Sequence, residues 1–214
     1  MAKLFKNVWF KCITCLLIIL VFSGSSIAIL SDLLYVSPEE RTQRGIMKVY
    51  GKLVDYETIF DVDDANYNDD TLSEEDKGKI IYDFGRINKI YAVGENELLF
   101  QCVGYKGFKN GTVTVWVRTV ISEQAPSPVY SIVQVKLEAN VSQSLINNLG
   151  GGYYSNFKLV DVTEAYKNGE FFTADKGQSN ATNYNPVSGA TYSANAGNNA
   201  VNCVLFYFGK GGIK

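Results

Sequence analysis

The sequence predicts an α+β domain, an antiparallel sheet with helices packed around it, carried behind one transmembrane helix. Three observations predict it. An apolar run from Cys12 to Leu30 follows Lys3, Lys6 and Lys11. Residues 87–136 hold a series of strand-patterned segments separated by turn residues. Near the C-terminus, Ala194, Gly197, Val201, Val204 and Leu205 recur at helical spacing.

The apolar run is long enough to cross a bilayer, with weaker apolar character continuing to Val36. Its basic flank and the acidic far side, Asp32, Glu39 and Glu40, place the N-terminus in the cytoplasm. Residues 1–11 then form a cytoplasmic basic N-terminus, 12–35 the membrane helix, and 36–214 an extracytoplasmic domain. A cleaved signal peptide is the rival reading, because Ser23, Gly24, Ser25, Ser26 and Ala28 are small enough for a peptidase. Ile13-Thr14-Cys15 is a poor lipoprotein box, since it precedes the apolar core. Cys12 and Cys15 spell C-x-x-C at the start of that helix, with no second pair to complete a metal site. They read as lipid-facing or packing cysteines.

Ser37-Pro38-Glu39-Glu40 reads as a helix start: Ser caps, Pro occupies the first turn, and Glu40 completes a capping box. Ile46, Val49 and Leu53, extended by Ile59 or Phe60, supply an apolar face. Residues 55–76 hold ten acidic residues and no basic one. Asp64, Asn66, Asn68, Asp70 and Glu75 fall at calcium-loop offsets, but the central Gly is missing and Leu72 takes a position that favours oxygen. A solvated acidic loop ending in a short helix capped by Ser73 fits better.

Strands are expected near 87–93, 97–104, 112–120 and 129–136, with hairpin turns at Glu95-Asn96 and Asn110-Gly111. Thr112, Thr114, Trp116 and Arg118 alternate with Val113, Val115, Val117 and Thr119, so one face packs and the other is mixed. Val141, Leu145, Ile146 and Leu149 support a helix that Gly150-Gly151-Gly152 stops. Another short helix covers 161–168, ended by Asn168-Gly169.

The stretch from Asn185 to Asn195 reads N-P-V-S-G-A-T-Y-S-A-N. Pro186 and Gly189 make a bend that feeds the C-terminal helix. Ser188, Thr191 and Ser193 cluster where that helix presents its first N–H groups. This suits a phosphate, and it equally suits an ordinary Ser or Thr cap.

Composition removes several classes of function. The chain of 214 residues has no histidine, which excludes His-based catalysis and His metal sites. With Lys3, Lys6, Lys11 and Asp32 set aside, 17 basic and 21 acidic residues remain, a net of −4 that argues against nucleic-acid binding. Fourteen tyrosines suit flavin stacking or a small core alike. Cys102 and Cys203 form one disulfide outside the cell or sit as buried thiols; sequence leaves both open.

Ser188-Gly189-Ala190-Thr191-Tyr192-Ser193 resembles the S-G-A-T-x-S/T motif of the FMN-binding domain family. Its C-terminal position and the single N-terminal apolar segment strengthen the resemblance. The family includes the extracytoplasmic flavin subunits of two membrane redox pumps, the Rnf-type ion-translocating ferredoxin:NAD oxidoreductase and the sodium-translocating NADH:quinone reductase. The resemblance implies FMN held by a phosphoester bond to Thr191. Ser188, Gly189, Ala190 and Ser193 would shape the phosphate nest. Asn195 or Asn185 would donate further hydrogen bonds, and Lys106 or Arg118 would compensate phosphate charge. It implies no catalytic nucleophile and no metal. Thr191 would be an attachment residue in an electron-transfer subunit that is not catalytic alone.

Implied partners are polytopic membrane subunits and iron–sulfur and flavin subunits of one redox pump, with a flavin transferase for maturation. The Rnf-type complex fits the short chain best. The quinone-reductase type, a free-standing extracellular flavinylated carrier and a non-enzymatic surface domain are the alternatives. Gly104 to Gly111 resembles the family's Gly-rich segment before a strand. The sequence departs from the family at E-T-P-G-L-G, where this chain has Asn140-Val141-Ser142-Gln143-Ser144-Leu145 followed by Asn147-Asn148-Leu149-Gly150; no contacts carry over there.

Overall fold

The computed structural model describes residues 8–123, 128–138, 153–154, 157–159, 161–173 and 191–213. The expected helix over 141–149, its glycine stop, and Asn185, Ser188, Gly189 and Ala190 lie outside the described residues. The chain divides into two units, Met1–Arg41 and Thr42–Lys214.

In the first unit α1 spans Val8–Leu34. Its apolar side chains face outward: Trp9, Leu16, Leu20, Phe22 and Leu33 are all exposed. At 27 residues it is about 40 Å long, more than the roughly 30 Å of bilayer hydrocarbon. The helix is therefore long and apolar enough to span a membrane. α2 (Pro38–Tyr50) begins as its cap predicts, with the Glu40 N–H donating to Ser37 Oγ at 3.1 Å.

The second unit is built on a six-stranded antiparallel sheet. Its strands are β1 (Glu57–Asp61), β2 (Ile81–Tyr82), β3 (Gly85–Val93), β4 (Glu97–Gly104), β5 (Val113–Ser122) and β6 (Val129–Leu137). The order is β1-β3-β4-β5-β6, with β2 also paired to β3. The four longest strands lie where the alternating pattern predicts. The β3–β4 turn is Gly94-Glu95-Asn96, with Gly94 at φ +64° and Val93 opposite Glu97. In the β4–β5 connection the left-handed backbone falls on Lys109 and Asn110, one residue earlier than Asn110-Gly111.

Three expectations need correction. The α2 face ends at Val49: Gly51 turns the chain at φ +72° and Leu53 is exposed. Ile59 and Phe60 belong to β1, not to a helical stripe. The acidic segment is not all loop, because β1 runs into it and Asp61 is buried. The expected short helix is present as α3 (Glu74–Ile80), where Ser73 Oγ accepts from the Asp76 N–H. The calcium-loop candidates Asp64 and Asn68 cap local turns instead, accepting from the Asn66 and Asp70 N–H groups. Among the described residues no three carboxylates or thiols converge as metal ligands.

Helices cover both faces of the sheet. One face carries Ile87, Ile90, Phe100, Val113, Val115 and Val117 against α5 (Thr191–Gly209). The other carries Tyr91, Leu99 and Trp116 in one cluster with Ile46 and Val49 of α2. On the mixed face of β5 Trp116 is buried, because it packs where Gly45 leaves α2 without a side chain, while Thr114 and Arg118 are half-buried. α4 (Val162–Lys167) lies beside α5 and β6, and Ile132 of β6 bridges to Leu159.

Candidate functional site

α5 places the candidate residues. Alanines, a glycine and branched apolar residues along it favour burial, and the structure buries it on nearly every side, beyond the single face the spacing predicted. Such a helix needs each polar side chain satisfied. Asn202 does this twice over: its Nδ2 donates to the Phe172 carbonyl at 2.8 Å, and its Oδ1 accepts from the Phe172 N–H at 2.9 Å. Asn198 Oδ1 accepts from the Tyr153 hydroxyl at 3.1 Å, and Asn199 donates to the Tyr105 carbonyl at 3.1 Å. Three asparagines therefore hang three connecting segments on one helix. Sequence reasoning missed them, although the spacing N-N-x-x-N inside an apolar helix was visible.

The sheet receives α5 through glycine. A Cβ on Gly104 would fall onto the Ala196 carbonyl oxygen and lie 2.6 Å from the Ala200 nitrogen. The Gly-rich segment after β4 thus starts as a seat for the helix, and a larger residue would lift α5 off β4.

The head of α5 is different from its body. Thr191 and Tyr192 are exposed, while Ser193 is 1% exposed, so one turn holds an accessible and a buried hydroxyl residue. A helix carries the positive end of its dipole toward its N-terminus, and α5 is described from Thr191 onward. No Asp or Glu stands in this first turn to repel an anion. Of the predicted nest only Thr191 and Ser193 are among the described residues, and they face different sides of α5, Thr191 outward and Ser193 inward; Asn195 lies half-buried one turn on from Thr191. Tyr153, Tyr154, Phe157 and Phe172 form an aromatic group beside α5, with rings 4.8 to 5.6 Å apart. The Tyr154 hydroxyl is buried against Gly197 without a hydrogen-bond partner among the described residues. The described part of this end therefore offers an exposed hydroxyl with no carboxylate in the same turn.

The two candidate cations separate. Lys106 is exposed at φ +65°, beside the Tyr105 carbonyl that Asn199 holds. Arg118 faces the opposite side of the sheet. It donates to Glu97 at 2.5 and 2.9 Å and stacks 4.7 Å from the Tyr50 ring. Arg118 is thus withdrawn as a phosphate counter-charge: strand alternation puts it with Trp116 on the α2 side, away from Val115 and Val117. The Arg118 hydrogen bond holds the Glu97 carboxyl below its ordinary value despite partial burial.

A second polar group, unforeseen from sequence, lies on that α2 side. The Lys89 ammonium reaches both Asp61 oxygens at 3.0 Å and Asp63 at 2.9 Å. The Tyr91 hydroxyl donates to Asp61 at 2.6 Å, and Thr42 lies 3.4 Å from both Lys89 and Tyr91. Burial alone would lower the Lys89 proton affinity, but the hydrogen bonds to Asp63 and Asp61 outweigh it and the affinity is raised. Every charge there has a partner, so the group ties β1, β3 and α2 together. No protein-family model, no curated protein and no solved structure matches this chain.

Proposed function

We propose that the chain is a membrane-anchored covalent flavoprotein subunit that relays electrons within an Rnf-type ion-translocating ferredoxin:NAD oxidoreductase. In this reading α1 is the anchor, with the N-terminus cytoplasmic and the folded unit outside. FMN is esterified through its phosphate to the Thr191 hydroxyl by a flavin transferase. Polytopic and iron–sulfur partner subunits supply and accept the electrons.

The observation that carries the reading is the position of Thr191: an exposed hydroxyl on the first described residue of a helix whose body is buried. A group attached there hangs from the most firmly packed helix of the domain, yet stays open to partners. The positive dipole end of the helix favours the phosphate. Bound FMN supplies one- and two-electron transfer, which the protein anchors and tunes. The chain's own residues hold position: Gly104 and the three asparagines fix α5.

The test is the intact mass of the full chain, co-expressed with a flavin transferase in cells that export both. The expected result is a gain equal to FMN less one water, mapped to the peptide containing Thr191. Thr191→Ser keeps the gain and Thr191→Val loses it. An unflavinylated wild-type chain, or a gain that survives Thr191→Val, overturns the proposal.

A further inference from the structure

We propose that Cys102 and Cys203 are a paired modification site, a cystine cross-link between β4 and α5 that closes while α5 docks on the sheet. The inference goes beyond the flavin reading and does not depend on it.

The geometry points to the pair through the glycines beneath α5. Gly85 and Gly104 are opposite one another in the β3–β4 register, and Ile87 is opposite Cys102. Cys102 stands two residues from Gly104, so both look toward α5. A Cβ on Gly85 would lie 2.9 Å from Cys203 Sγ. The Cys203 sulfur therefore rests within the four-residue patch that contains Cys102. Elements packed through ordinary side chains keep their axes about 8–10 Å apart, whereas a disulfide needs Cα atoms within roughly 4.4–6.8 Å. Two glycines facing one helix reduce that spacing beside the two cysteines, which the structure holds as free, buried thiols.

Both thiols are fully buried, and Cys203 Sγ donates to the Asn199 carbonyl at 3.3 Å. Burial pushes both thiols up, so the folded reduced domain holds little thiolate and gives an oxidant no path. The reaction accordingly belongs to the folding route. One cysteine thiolate attacks a sulfur of an external disulfide, forming a mixed disulfide and releasing one thiol. The second cysteine thiolate then attacks the protein sulfur of that bond and releases the other thiol. Two electrons and two protons pass from the cysteines to the external disulfide, which becomes two thiols. The product staples the Thr191-bearing helix to the centre of the sheet.

The test uses the full chain in detergent, with Cys12→Ser and Cys15→Ser removing the exposed thiols of α1. It is refolded with oxidised glutathione, then denatured and alkylated. The expected result is no alkylation, a mass lower by two hydrogens, and one linked peptide pair containing Cys102 and Cys203. Oxidised glutathione added only after reduced folding is expected to leave both cysteines alkylatable. Alkylation of both after oxidative refolding, or glutathione adducts alone, overturns the pairing. Equal cross-linking by late oxidant overturns the assignment to folding. Should refolding not recover the fold, the chain is isolated from exporting cells, acid-quenched and alkylated, with the linked or alkylated pair deciding in the same way. A Thr191→Val chain is expected to cross-link normally, which separates this result from the flavin reading.

Discussion

On one face of the sheet a glycine in the helix, Gly45, makes room for a large sheet side chain, Trp116; on the other, Gly104 in the sheet makes room for the backbone of α5. The α2 side couples its small apolar cluster to ionised groups, Asp61 with Lys89 and Glu97 with Arg118. The α5 side is a large aromatic and aliphatic core whose buried asparagines are satisfied by neutral partners. The difference teaches that one interface is set by charge pairing and the other by shape. The first should respond to unpaired charge and acid, the second to added volume and lost backbone bonds.

The largest effect is expected from Lys89→Met, which leaves the buried Asp61 carboxylate without its ammonium. Breaking such a pair costs about 3–5 kcal/mol, read as a lower midpoint in urea. Adding Asp61→Asn should recover part of the loss. No recovery in the double variant would show that the group acts by packing and would break the contrast.

Gly104→Ala is expected to cost about 3 kcal/mol, at the upper end of overpacking, because the added methyl meets backbone that cannot turn aside. The same measurement checks it, and a neutral result would mean that α5 is not seated on β4. Gly78→Ala is the control, since a Cβ there meets nothing within 4 Å.

Asn202→Ala should cost about 2 kcal/mol by stranding the Phe172 N–H and carbonyl. Hydrogen exchange at Phe172 should accelerate. Unchanged exchange would remove this asparagine from the support of α5.

The smallest effect is the acid response of Glu97. Its carboxyl is held below the ordinary value by Arg118. A depressed folded value contributes stability that is fully present above the unfolded value, about 4.3, and is lost as pH falls through the folded one. The pair is partly exposed, so the contribution is under about 1 kcal/mol. Melting from pH 5 downward should be shallower for Glu97→Gln than for wild type; identical slopes would place the acid response elsewhere.

Much of the fold was legible in the sequence. β3 to β6, the Ser37 and Ser73 caps and the helix from Thr191 stand where local pattern put them, since capping and alternation act between neighbours. β1 was not legible, because its five residues sit among acidic ones and only Lys89, far along the chain, gives Asp61 a reason to be buried. In the candidate site, the helix carrying Ala194, Gly197, Val201, Val204 and Leu205 was legible. The asparagine ties and the aromatic group around Tyr154 were not, because their partners come from distant segments.

The sequence by itself determined the apolar segment, the strand alternation and one apolar face on α2 and on α5, all of which depend on residues a few positions apart. Only the tertiary structure decided that Arg118 serves the α2 side, that Gly104 is a seat for α5, and that Cys102 and Cys203 share one patch. Those are contacts between chain segments that only folding brings together, and their energy depends on burial and distance, which no local spacing records.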